Sequence, residues 1–149
     1  MLFRSIFWDV TQQRRTEIAL AHERDLLRTL LESIPDRIYF KDRDSQFLMI
    51  SRAMAKDFGL ADPGDAVGKK DADFFSVEHA RLAMDDEQAI LETGQAIIGK
   101  TEKETWNNGL ERWVLTTKMP MHNTDGEIVG TFGVSKDIKI GRASCRERV

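Results

Sequence analysis

Pro35 divides this chain of 149 residues into two kinds of sequence. From Thr11 to Ser33 the chain is highly charged and contains neither Gly nor Pro. Ile6, Val10, Leu20, Leu27, Leu31 and Ile34 share one heptad seam, which Gln13, Glu17 and Arg24 interrupt. That spacing predicts an amphipathic helix and only weakly a coiled coil, which needs three or four sustained heptads. The helix must stop before Pro35, because a proline ring disfavours helical geometry at the preceding residue.

After Pro35 the apolar period drops to two. Arg37 to Lys41 reads as a strand, Asp42 to Ser45 as a turn, and Phe47 to Ile50 as a second strand closing a hairpin. Arg52 to Phe58 is a short helical run with Gly59 as its C-cap, and Ala61 to Asp73 has loop composition with room for one helical turn. A longer helix starts at the N-cap Ser76 and stops at Gly94, with Ala80, Ala83, Met84, Ile90 and Leu91 forming its apolar face. Ala96 to Trp106 and Glu111 to Met119 flank Asn107-Asn108-Gly109, a strong hairpin signal. Asp125-Gly126 then turns into a last strand, Ile128 to Ile138. This order predicts an α+β fold with an antiparallel sheet.

Composition narrows the function. A net charge of -3 argues against a nucleic-acid binder, which would carry a basic patch, and no segment has the roughly 20 apolar residues of a membrane span. The single cysteine, Cys145, excludes an internal disulfide or a cysteine zinc cage and fits a reducing, cytoplasmic setting. His22, His79 and His122 lack ligand spacing, so no metal site is expected. Gly64 to Lys70 has the wrong spacing for a phosphate-binding loop. Asp85-Asp86-Glu87 reads as a solvated helix face, because three successive carboxylates cannot share one face. No nucleophile, base and orienting group occur together, so no enzyme activity is assigned.

Four motifs in order carry a family resemblance. They are Ile34 to Asp42, Val67 to Phe75, Trp113 to Pro120, and Asp125 to Ile138. Together they resemble a PAS domain over residues 35–139, which implies a five-stranded antiparallel sheet with helices on one face enclosing a pocket or a filled core. Ser51 stands where the family often carries Asn, and Lys139 where Thr would complete an Asp-Ile-Thr ending. Ile6 to Thr11 resembles the closing strand of a preceding PAS domain, with Asp9 and Asp137 lying 128 residues apart, so the helix over 12–34 would connect two members of an array. Residues 1–5 and 140–149 resemble translated sequencing adaptor and are set aside.

The resemblance implies a sensor and relay within a bacterial histidine kinase or diguanylate cyclase. An apolar pocket for a small ligand would be lined by Ile38, Phe40, Met49, Met54, Phe58, Phe74, Met84, Leu91, Trp113, Leu115, Phe132 and Val134. The alternative is a cofactor-free dimerisation module in which those residues form an ordinary core. Asp9 and Asp137 would act in signal relay, each as an N-cap-like acceptor where a strand passes into a helix. No cofactor is expected. Haem would call on His79, and the covalent flavin chemistry of the family is excluded because the core has no cysteine, although non-covalent flavin is not. His22 on a charged helix lacks the continuation of a kinase phosphoacceptor. The expected partners are a second copy, through the N-terminal helix and the PAS core, and neighbouring domains of the parent chain, with no nucleic acid and no direct membrane contact.

Overall fold

The computed structural model describes the backbone of residues 2–139 and the side chains of residues 9–139; the adaptor-like tail at 140–149 lies outside them. The chain forms two units, Met1–Ser33 and Ile34–Val149. The first is one helix, α1 (Leu2–Ser33), which ends just ahead of Pro35 as its ring requires. The strand expected at Ile6 to Thr11 is instead helical. An isolated strand there has no neighbour within the unit to receive its backbone hydrogen bonds, whereas a helix satisfies them internally. Asp9 is therefore exposed inside a helix rather than capping one, because a cap needs non-helical backbone angles. Val10, Ile18, Leu20, Leu26 and Leu30 all expose their side chains.

The second unit contains β1 (Arg37–Asp42), β2 (Phe47–Ile50), α2 (Arg52–Asp57), α3 (Val77–Thr93), β3 (Ile97–Thr105), β4 (Glu111–His122) and β5 (Ile128–Asp137). The five strands form one antiparallel sheet in the order β2-β1-β5-β4-β3. This is the α+β arrangement that the motifs imply. The long loop holds two single 3₁₀ turns, Pro63–Ala66 and Asp71–Asp73, where one turn is expected. Ser76 caps α3 by accepting the His79 N–H, and Gly94 ends it in the left-handed region at φ 71°. Gly109, at φ 87°, lets the chain reverse between β3 and β4.

α2 packs on β1, and α3 crosses β3, β4 and β5, so both helices cover the same sheet face. An apolar cluster of Tyr39, Phe47, Ile50, Met54, Phe74, Phe75 and Trp106 reaches from β2 to the residue that follows β3. Phe58 stacks on Phe74 with ring centroids 3.8 Å apart. Ser51 ties this corner together. Its hydroxyl accepts from the Ile38 N–H at 3.0 Å and from the Met54 N–H, the α2 cap, at 3.4 Å, and donates to the Asp36 carbonyl. Removing the hydroxyl leaves two buried donors short of an acceptor. Ser51→Ala should therefore cost about 1–3 kcal/mol, read as a lowered denaturant midpoint with an unchanged slope.

Candidate functional site: a charged cavity under the third helix

Strand alternation sends Arg37, Tyr39 and Lys41 to the helix-covered face and Ile38 and Phe40 to the other. Sheet register carries that parity across. Tyr39 lies opposite Gly133, which lies opposite Lys118, while Phe40 lies opposite Phe132, which lies opposite Met119. The helix-covered face is consequently the polar one. Gly133 is required there, because a Cβ would overlap the Tyr39 ring.

The charged side chains on this face are paired. Lys41, only 2% exposed, donates from Nζ to Asp71 Oδ2 at 2.5 Å and to Glu87 Oε2 at 2.7 Å. Lys118 Nζ reaches the same Glu87 oxygen at 3.5 Å and Asp86 at 3.7 Å. Arg37 donates to Glu104 Oε2 at 3.0 Å. Burial works against the charge on Lys41, but Asp71 and Glu87 outweigh it and lift its pKa above the ordinary lysine value. Lys118 is raised in the same way, with burial opposed by Glu87, Glu102, Asp71 and Asp86. Tyr39 is raised by burial and keeps its proton. Burial lowers His79, which stands 4.7 Å from the Phe75 ring and is neutral at pH 7. Glu104 is pushed up to about 7, since burial outweighs the attraction of Arg37.

These groups surround a cavity of about 20 Å3, room for about one water. β1 contributes Arg37, Tyr39 and Lys41, β3 Glu102 and Glu104, β4 Lys118, and β5 Ser135. Asp71, Phe75, Met54 of α2, and His79 and Ala83 of α3 complete it. A space of that size fits neither a haem macrocycle nor a flavin ring. Glu87 Oε1 has no hydrogen-bond partner, although Glu87 is 1% exposed. Among the described residues no group of three or more His, Cys, Asp or Glu is placed to hold a metal ion.

Of the twelve apolar residues expected in the pocket, only Met54 lines this cavity. Phe58 and Phe74 belong to the apolar cluster, and Leu91 is buried on α3. Met49 is exposed on β2, and Met84 borders a separate apolar surface groove of about 330 Å3 with Val77 and Ala80. Ile38, Phe40, Trp113, Leu115, Phe132 and Val134 lie on the opposite sheet face, where Phe40 and Phe132 stack at 5.9 Å and Trp113 is 43% exposed. Alternation sorts residues into two faces but does not say which face the helices cover. Sequence reasoning missed Arg37, Lys41, Asp71, Glu87, Glu104 and Lys118, and took Glu87 for a solvated residue. One signal was available: Arg37 and Lys41 alternate with apolar residues in a strand that sits inside the sheet.

With this geometry in hand, the relatives can be placed. A family model described as the PAS fold matches residues 31–142, and the chain belongs to that family. Such a domain is a sensory module rather than a catalyst. The chain is 25% identical over 130 residues to the methanogenesis regulatory histidine kinase FilI of Methanothrix harundinacea, covering 87% of this chain and 14% of that protein. It is 28% identical over 102 residues to a diguanylate cyclase of Vibrio cholerae, covering 68% of this chain and 32% of that protein. The solved structure of VqmA bound to DPO shares the fold with a TM-score of 0.66 at 23% identity, covering 76% of this chain and 57% of that one. These relatives are signalling proteins, and the chain is a signalling sensor module. No helix among the described residues is long and apolar enough to cross a membrane.

Two outcomes follow from the buried charges. Lys41→Met leaves Asp71 and Glu87 without their shared cation and should cost about 3–5 kcal/mol in urea unfolding. Glu104 has a folded pKa of about 7, above the ordinary glutamate value of 4.5, so the folded state holds a proton that the unfolded state releases. Stability should therefore fall as pH rises from about 4.5 to 7, by at most about 3 kcal/mol, and Glu104→Gln should remove that slope in denaturation curves taken across this range.

Proposed function

We propose that this chain is the sensing domain of a multidomain signal-transduction protein of the histidine kinase or diguanylate cyclase type, working in the cytoplasm. It reads a small polar molecule at the cavity beneath α3. The observation that carries this reading is the set of buried charged side chains that line it: Arg37, Lys41, Asp71, Glu104 and Lys118. Burying ion pairs in a core is often no better than packing apolar groups of similar volume. Convergent donors and acceptors around one enclosed space are, by contrast, what orients a small ligand. Glu87, which does not itself line the cavity, holds Lys41 and Lys118 in place from behind.

The ligand that this lining suits carries both donors and acceptors, because each cation already has a carboxylate beside it. That differs from the small apolar ligand that the family resemblance implies. The solved structure of VqmA bound to DPO, which shares this fold, supports the reading. The cavity holds only about 20 Å3, so admission requires neighbouring side chains to move; Met54, an unbranched side chain, and half-buried His79 are the candidates. A ligand that binds the open packing better than the closed one shifts the population between them, and α1 and the end of β5 carry the shift to neighbouring domains.

A cofactor-free dimerisation module is the second reading. The small cavity volume favours it, as do the exposed leucines of α1, which suit a second copy of the chain. A thermal-shift screen of the purified chain decides between them, using DPO, amino acids and small neutral heterocycles with a Lys118→Met variant as control. A ligand at about 100 times its Kd should add about 2.7 kcal/mol, a Tm rise of roughly 5–10 °C, and the variant should lose it. No shift from any compound, together with a dimeric native mass, supports the module instead.

A further inference from the structure

Arg37 touches both the charged cavity and the place where the chain leaves the sheet, as does Ser135, two residues before the end of β5. Arg37 is the first residue of β1, and its guanidinium is 4% exposed. One edge, Nη1, donates to Glu104 Oε2 at 3.0 Å, inside the cavity. The other, Nη2, donates to Asp137 Oδ1 at 2.7 Å, on the last residue of β5. Arg37 also borders a half-open depression of about 250 Å3 on the outer side, with Pro35, Asp57, Lys136 and Asp137. The guanidinium is thus the partition between the cavity and the exit of the chain.

A second cation completes the exit side. Arg112 Nη1 lies 3.2 Å from Asp57 Oδ2 and 3.7 Å from Asp137 Oδ2, while Arg37 Nη1 lies 3.6 Å from that same Asp57 oxygen. Asp137 is held by two arginines yet has a side chain 58% exposed, so it is the member free to change partners. Beyond it, the Ile138 N–H donates to the Trp113 carbonyl at 3.0 Å and keeps the chain on β4. A planar, forked guanidinium can serve two carboxylates at once only in a fixed orientation, which a lysine ammonium does not reproduce.

We propose that Arg37 is the positioning residue that couples the cavity to the output end of β5: a change at Glu104 reorients the guanidinium and so alters its hold on Asp137. An occupant of the cavity that takes the Glu104 acceptor is one such change, and this rests on the sensing reading given above. Protonation of Glu104 is another and needs no ligand, so the coupling can be tested separately.

The groups facing Glu104 are Arg37 on β1, Glu102 on its own strand, Arg112 on β4 and Asp137 on β5. Asp57 on α2 joins through the two arginines, and Tyr39, Lys41, Asp71, His79 and Lys118 line the same cavity. The experiment is an NMR titration of the whole chain from pH 5 to 9, following the Glu104 side-chain carboxyl carbon and the backbone amides of Asp137 and Ile138. The expected result is one shared midpoint for all three. Glu104→Gln should abolish the transition at the two amides. Arg37→Lys should leave Glu104 titrating while the amides no longer follow it. Two results overturn the proposal: amides that ignore the Glu104 titration in the unaltered chain, or amides that still follow it in Arg37→Lys. If Arg37→Lys fails to fold, Glu104→Gln, which keeps shape and an acceptor, decides alone: persistence of the amide transition in that variant overturns the proposal. Failure of the ligand screen leaves these outcomes untouched.

Discussion

The sharing of Glu87 between Lys41 and Lys118 is the interaction on which the rest of the domain depends. Glu87 belongs to α3, Lys41 to β1 and Lys118 to β4, so one carboxylate joins the covering helix to two strands. Each charge is buried and would be intolerable alone. Together they define where α3 sits, because Glu87 has to lie within reach of both ammonium groups. An apolar interface tolerates sliding and repacking at modest cost, whereas a buried ion pair does not. A sensor benefits from such a seat, since a small change in charge or occupancy acts on the position of an entire helix.

The same network explains why the sheet is turned the way it is. An antiparallel sheet with one covered face normally buries its apolar alternates. Here the covered face carries Arg37, Lys41, Glu104 and Lys118, and the open face carries Phe40, Trp113, Leu115, Phe132 and Val134. Apolar packing is concentrated instead where Phe47, Phe58, Phe74, Phe75 and Trp106 meet. The domain thus separates two jobs. An aromatic cluster supplies cohesion, and a paired charge cluster supplies a responsive interior. Arg37 extends that interior to the sheet's exit, where β1 enters beside the end of β5.

Much was legible beforehand. The helix stopping at Pro35, the hairpin at Asn107-Asn108-Gly109, and the α3 caps at Ser76 and Gly94 are local features, decided by a few neighbouring residues whose geometry has few alternatives. The family motifs added strand order, which local rules do not provide, because β1 pairs with β5 across nearly the whole domain. Ile6 to Thr11 is helical where the motif implied a strand. The residues fit a closing strand, but a strand exists only beside another, and in its own unit the segment is helical.

By itself the sequence determined where the elements after Pro35 begin and end to within a few residues, the α+β class and the alternation of each strand, since these follow from proline, glycine and capping chemistry and from the two-residue period. Only the tertiary structure decided which side of the sheet became the interior. That choice rests on where α3 packs and on whether Lys41, Lys118 and Arg37 find carboxylates there, and those partners stand 30, 46, 31 and 67 residues away along the chain. Period cannot encode such pairing, because a charged residue looks the same in sequence whether water or a distant carboxylate will satisfy it.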